Sequence, residues 1–236
     1  MTHYPVTPRN RAKRVHERAR YDHDTVHAVL DAGLMCHIAY VIDGQPYCTP
    51  TIHWRDGTRL YWHGSSASRM LRAQKGGVPV CVTVTHLDGL VMARSAFNHS
   101  ANYRSAMCFG LAEIIEDAAE KTRALEALTD RFYPGRRAEL RPMTAQEVKA
   151  TSVIGMTITE ASAKVRAHGV GDDAEDGHLP VWAGVIPVAT MIGAAQPSAL
   201  MPETPLAPHL QRFAEGRRLD EVMLETQAIY DAEGRA

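Results

Sequence analysis

A chain of 236 residues, 45% of them apolar, is long enough to bury a sizeable core as one large domain or as a domain with an appendage. Its 26 Lys and Arg against 27 Asp and Glu leave a formal net charge of −1, so bulk attraction to nucleic acid or to an anionic membrane is not expected. No run approaches the ~20 apolar residues that cross a bilayer, and the basic N-terminus lacks an apolar leader core, which makes the expectation a soluble, cytoplasmic protein.

Residues 1–21 form a polar, basic arm (Arg9, Arg11, Lys13, Arg14, Arg18, Arg20). Such a run suits an anion or a nucleic acid, but is read first as a solvated arm with local charge pairing. A short helix follows, with Asp22 or Asp24 capping Thr25 to Leu30 and Gly33 ending it. His23 and His27 stand four apart, a metal-ligand spacing. With no third ligand nearby they read as two exposed histidines, and no metal site is expected.

From Leu34 the pattern turns extended. Leu34–Ile42, Gln45–Arg55 and Thr58–His63 read as strands joined by tight turns at Asp43-Gly44 and Asp56-Gly57, an antiparallel meander. Helix Ser68–Gln74 follows. Val78–Leu87 and Leu90–Arg94 read as a hairpin across Asp88-Gly89, and Tyr103–Glu116 as a long strand. Asp117–Phe132 is an amphipathic helix stopped at Pro134-Gly135. A short helix starts at Thr144, and Ser152–Glu160 is the last strand. The four cysteines (Cys36, Cys48, Cys81, Cys108) each fall inside a strand without a C-x-x-C pair, so buried free thiols are expected and structural zinc is not. Because the connections are hairpins, the chain reads as mainly β (α+β): a six-stranded antiparallel split β-barrel with peripheral helices. The composition shifts beyond Lys164, which divides the chain into the arm (1–21), a barrel domain (22–165) and a C-terminal extension (166–236) packing on the barrel or on a partner subunit.

The stretch His63-Gly64-Ser65-Ser66-Ala67-Ser68-Arg69 carries the most chemistry. Hydroxyls, free backbone N–H groups and one guanidinium converge where a strand gives way to a helix N-terminus, an arrangement that suits phosphate. An ordinary Ser-capped turn has the same composition. No Ser-His-Asp order, paired carboxylates or metal cluster offers a competing centre.

Taken together, Leu60-Tyr61-Trp62-His63-Gly64-Ser65-Ser66-Ala67-Ser68-Arg69, the strand opening Asn102-Tyr103-Arg104-Ser105, and Pro180-Val181-Trp182-Ala183-Gly184-Val185-Ile186-Pro187 resemble the FMN-binding split-barrel superfamily. The resemblance is to its pyridoxamine 5′-phosphate oxidase-like branch, which includes the nitroimidazole-resistance proteins. It spans roughly residues 20–190. It implies a homodimer with flavin in each interfacial cleft, phosphate held by His63, Ser65, Ser68 and Arg69, and the flavin ring lying along Thr49, Pro50, Thr51 and Ile52. Second-subunit contacts fall on Tyr103, Arg104 and Ser105, and Trp182 closes over the partner's flavin. Trp182 also suits a core or interface aromatic, and Tyr103 with Arg104 an exposed strand pair. Two departures argue against a pyridoxal-forming oxidase: Thr51, Ile52 and His53 replace basic residues beside the flavin, and the Arg-x-His motif is missing after Trp182.

The expected function is therefore that of an FMN-dependent oxidoreductase, nitroreductase-like, reducing a small aromatic or nitro compound at the expense of a nicotinamide. His63 is the catalytic candidate, as phosphate ligand or proton donor; its bland role is a hydrogen-bonded strand-end histidine. The alternatives are a flavin-storing protein without turnover, FAD in place of FMN, or a haem-binding barrel with His37, His53, His63, His86 or His99 as axial ligand. A flavin spectrum and a Soret band are expected to separate the flavin and haem readings.

Overall fold

The computed structural model describes residues 2–65 and 77–234, with only the backbone at Ser65. The expected helix Ser68–Gln74 lies outside the described residues. Among those described, nine strands form one sheet: β1 (Ala19–Arg20), β2 (Met35–Ile42), β3 (Gln45–Asp56), β4 (Arg59–Ser65), β5 (Val78–Met92), β6 (Ser100–Ile114), β7 (Thr151–Thr157), β8 (Glu160–Arg166) and β9 (Gly184–Pro187). The helices are α1 (His23–Asp31), α2 (Ala118–Phe132), α3 (Ala145–Ala150) and α4 (Leu219–Glu233). None of them is long and apolar enough to cross a membrane.

All pairings are antiparallel. Because β5 pairs with both β2 and β6, six strands close into a ring in the order β6-β7-β4-β3-β2-β5. β8 and β1 extend it beyond β6, and β9 adds to the far end of β5. The β2–β3 turn places Asp43 (φ 49°) and Gly44 (φ 76°) in the left-handed region, the geometry whose twist matches a two-residue hairpin.

The ring interior holds Leu60, Trp62, Ile38, Val82, Ile154 and Met156, and α1 closes one end with Val26, Val29 and Leu30. A second core lies outside the ring, where Trp54, Val153 and Ile115 meet Leu125 and Phe132 of α2 and Val222 and Met223 of α4. Charge ties these layers together. Arg55 pairs with buried Asp31, while buried Arg131 donates to the Thr226 hydroxyl (2.8 Å) and to the Asp31 carbonyl (2.7 Å). At Gly110, β6 passes so close to β7 that a Cβ would sit 2.3 Å from the Thr157 carbonyl oxygen.

Several expectations need correcting. Asp88-Gly89 is not a hairpin turn: β5 runs unbroken for 15 residues, and Asp88 is the extra residue of a bulge between the Leu87–Tyr103 and Gly89–Asn102 pairs. The strand expected over Ser152–Glu160 ends at Thr157, and Glu160 opens β8. His23 and His27 are not two exposed histidines. Buried Tyr4 stacks on His23 (4.0 Å between rings) and its hydroxyl hydrogen-bonds His27 Nε2 at 2.7 Å. The arm is anchored at buried Tyr4 and at buried Asn10, which donates to the Ala161 carbonyl, while its basic residues Arg9, Arg11, Lys13, Arg14 and Arg20 are exposed as expected. Arg9 pairs not locally but with Glu160, 151 residues away. Cys36 and Cys108 are buried thiols, but Cys48 is exposed and Cys81 half-buried.

Candidate functional site

Strand pleating sorts the candidate residues by face, since successive side chains point to opposite sides. Phe109, Cys81, Ala39 and Cys48 are successive cross-strand partners on the outward side, and the next row is Met107, Thr83, His37 and Pro50. One row further, Ser105 faces Thr85, and Met35 faces Ile52. Tyr103 opposite Leu87 continues the series. β8 borders it with Lys164 beside Ser105 and Arg166 beside Tyr103. The result is an outward face across β3, β2, β5 and β6 that is largely apolar, with Met35, Val41, Leu87, Met107 and Leu111 exposed.

The structure therefore brings Pro50, Ile52, Tyr103 and Ser105 onto one face. Thr49 and Thr51 point the other way, opposite buried Ile38 and Cys36 and into the ring, and the Thr49 hydroxyl lies 3.0 Å from the Tyr40 hydroxyl. Pro50, which has no N–H to give, sits opposite His37 within an otherwise paired strand.

Arg104 also points away from this face. Its guanidinium donates two bonds to Asp88 (2.9 and 2.7 Å) and one to Asp220 at 2.8 Å. The bulge at Asp88 makes that pairing possible. The three charges line a cleft of about 350 Å³ shared with His86, Met35 and Thr190. Burial works against the Asp220 carboxylate, but hydrogen bonds from Arg218 and Arg104 outweigh it and bring its pKa down to about 2. Neither Tyr103 nor Arg104 is an exposed pair: β6 is flanked there by β5 and β8.

His63 lies on β4 opposite Val153, on the outer side with Trp54, whose ring is 5.9 Å away. It is half-buried, and burial holds its pKa below the usual value, which favours the neutral imidazole. Its Nδ1 is buried without a hydrogen-bond partner among the described residues. Of the other histidines considered, His53 Nε2 is engaged by the Leu30 carbonyl (3.2 Å), His86 Nε2 by Val29 (2.9 Å) and His99 Nδ1 by Ser95 (2.8 Å). His37 is exposed on the outward face. Ser65 ends β4, and Ser68 and Arg69 lie outside the described residues.

Trp182 is neither core nor close to the rest. It is 62% exposed and folds over Gly184, where a Cβ would meet its ring at 2.7 Å. Gly184 pairs with Met92, seven residues along β5 from Thr85, or roughly 23 Å at the strand rise. The sequence reading missed Lys164 and Arg166, although the alternation Ala-Ser-Ala-Lys-Val-Arg marks a strand that presents both on one side.

A ring of six antiparallel strands with an outward apolar face defines a split-barrel protein. Residues 22–165 match the family model described as pyridoxamine 5′-phosphate oxidase. The chain is similar to the flavocytochrome Anf3 from Azotobacter vinelandii, with 44% identity over 89% of this chain and 98% of that one and a TM-score of 0.82. It is also similar to an FAD and haem binding protein from Mycobacterium smegmatis, with 38% identity over 86% of this chain and 98% of that one and a TM-score of 0.80. A candidate 5-nitroimidazole antibiotic resistance protein from Bacteroides thetaiotaomicron shares the fold (22% identity, 62% of this chain and 86% of that one, TM-score 0.50). None of the curated proteins compared with the chain matches it. The chain belongs to the pyridoxamine 5′-phosphate oxidase family, and its ring of strands is that family's split barrel.

Proposed function

We propose that this protein is a flavocytochrome, holding a flavin as FAD together with a haem. The observation that carries the reading is its similarity, over 98% of their lengths, to two proteins named for a flavocytochrome and for FAD and haem binding. Flavin and haem, posed above as alternatives, become two cofactors of one protein, and FAD takes the place of the expected FMN.

The residues present fit both groups. The outward face offers Ile52 as an apolar wall, Pro50 as a backbone position without a donor, and the Ser105 and Tyr103 hydroxyls as polar anchors. By resemblance, Ser65, Ser68 and Arg69 hold the flavin phosphate. His63, whose burial favours the neutral imidazole and whose Nδ1 has no partner among the described residues, is our haem ligand, since a coordinating imidazole must be unprotonated at the bonding nitrogen. A flavin supplies two-electron chemistry and a haem one-electron chemistry, so a protein holding both joins a hydride donor such as a reduced nicotinamide to a single-electron acceptor. A small aromatic or nitro compound is the acceptor class we propose.

A second copy of the chain completes the site. A contiguous apolar face of this kind marks an interaction surface. Phe97 (94% exposed) and Trp182 stand as uncovered aromatics at the far end of β5, where a partner would bury them. Absorption spectroscopy with mass spectrometry of the released ligands tests the reading. Flavin bands near ~370 and ~450 nm together with a Soret band are expected. Flavin bands without a Soret band after haem supplementation would overturn it.

A further inference from the structure

We infer that Arg166 and Arg18 form an oxyanion site for the phosphoryl groups of a dinucleotide. Arg166 is only 7% exposed, yet no carboxylate lies within 4.0 Å of it among the described residues. Its guanidinium is met by neutral oxygens alone: Nη1 donates to Asn102 Oδ1 and to the His168 carbonyl (3.2 Å), and Nη2 to the Gly169 carbonyl at 3.4 Å. Nε is buried with no partner. The contrast within the molecule is sharp. Arg55, Arg94 and Arg104 each find an aspartate at 2.6–2.7 Å. A covered guanidinium without an anion is costly, so its natural counterion is one that the chain does not supply.

A second cation stands beside it. Ala19 pairs with Lys164, so Arg18, one residue earlier, lies at the Val165–Arg166 end of β8. Arg18 has no acidic partner among the described residues, and the two guanidiniums repel. Burial, followed by the charge of Arg18, pulls the Arg166 pKa below its usual value. The turn His16–Arg18 that presents Arg18 starts at Val15, a β-branched residue held at φ 53°, ψ 49°. That conformation is strained for valine. Lys164 adds a further positive charge on the Arg166 side of β8.

The ligand class follows from this set. Planar guanidinium forks match phosphoryl oxygens at two points. Two arginines and a lysine suit more than one phosphoryl group. Tyr103, the direct cross-strand partner of Arg166, offers a ring on which a base can stack. The site's existence does not depend on the flavocytochrome reading; its occupancy by the protein's own FAD rests on it.

The test uses the purified protein with Arg166→Gln, Arg18→Gln and, as a control in the same arm, Arg11→Gln. Two quantities are read: the FAD and FMN released on denaturation, and calorimetric affinity for adenosine 5′-diphosphate at low salt. If the site holds the flavin's own diphosphate, the wild type does not take up the free nucleotide, and FAD content falls several-fold in Arg166→Gln and Arg18→Gln. If it holds a free dinucleotide, cofactor content stays constant and nucleotide affinity falls about tenfold in Arg166→Gln, the scale of a lost charge-assisted contact. Arg18→Gln, a change in the turn rather than the core, keeps the test sound if Arg166→Gln does not fold. The inference is overturned if Arg18→Gln alters neither quantity, or if Arg11→Gln alters them as much. A wild type without flavin would sink the flavocytochrome reading alone, leaving the nucleotide titration to judge the site.

Discussion

Asp31 and Arg55 meet at two points, Nε to Oδ1 at 2.9 Å and Nη2 to Oδ2 at 2.6 Å, in the seam between α1 and β3. Both side chains are 7% exposed, and the Asp31 backbone carbonyl also receives Arg131. Removing the carboxylate leaves two covered guanidiniums with one acid fewer. Asp31→Asn is expected to cost about 3–5 kcal/mol in urea unfolding, the range for one half of a buried ion pair. The apolar double replacement Asp31→Leu with Arg55→Met should lose clearly less. A cost below about 1 kcal/mol for Asp31→Asn would show that the pair is not buried as described.

Acid weakens this molecule through His27. Burial first, then the charges of Arg55 and His23, hold its pKa down to about 4, against about 6.5 when unfolded. The fold favours the neutral ring, so its contribution is fully present above pH ~6.5 and is lost as pH falls through about 4. His53, also brought to about 4 by burial, acts in the same window. Between pH 7 and 4.5 the urea midpoint of the wild type should fall further than that of His27→Gln, which keeps the shares of the other histidines held down by burial, His53 and His63. Equal falls in the two proteins would exclude His27.

Gly110→Ala drives a methyl group into the Thr157 carbonyl oxygen and Met156. The first of these is backbone in the neighbouring strand and cannot rotate away. A loss of at least about 1–3 kcal/mol is expected from the thermal midpoint. An unchanged midpoint would mean that β6 and β7 do not cross this closely.

The outward face can be tested by charge. Ala39→Glu combined with Met107→Glu places carboxylates in adjacent rows. Light scattering after gel filtration is expected to show a dimer for the wild type and a monomer for the double variant. A dimer that survives both substitutions is built on some other surface.

His63→Ala separates the two cofactors. The Soret band should disappear from the purified protein while its flavin bands persist. Persistence of both bands would remove His63 from haem ligation and leave His37 as the candidate on that face.

Much of the architecture was legible in the chain because its hairpins are local. Asp43-Gly44 and Asp56-Gly57 name their turns, Asp22 caps its helix as read, and the helices expected from Asp117 and from Thr144 begin there, with those two residues as their caps. Asp88-Gly89 has the same letters, but its glycine does not adopt a positive φ, and the decision between turn and bulge is made by β6 pairing along both halves of β5. β8 carries only a weak signal, the alternation that ends in Lys164 and Arg166, because Ala161, Ser162 and Ala163 are small; packing buries them. The site was half legible. Resemblance named Pro50, Ile52, Tyr103 and Ser105, which the register brings onto one face, while the same register turns Thr49, Thr51 and Arg104 elsewhere. The partners of Arg104 lie 16 and 116 positions away, and no local pattern announces them.

The clasp of Arg131 on Asp31 and Thr226 also has a consequence in time. The six ring strands are complete once residue 157 has been made, but the guanidinium already committed at position 131 waits for Thr226, 95 residues further on. During synthesis from the N-terminus, a finished ring therefore carries an uncovered second core and a stranded cation until α4 arrives. Premature release of the nascent chain before that helix would yield a species that pairs its strands correctly and still aggregates.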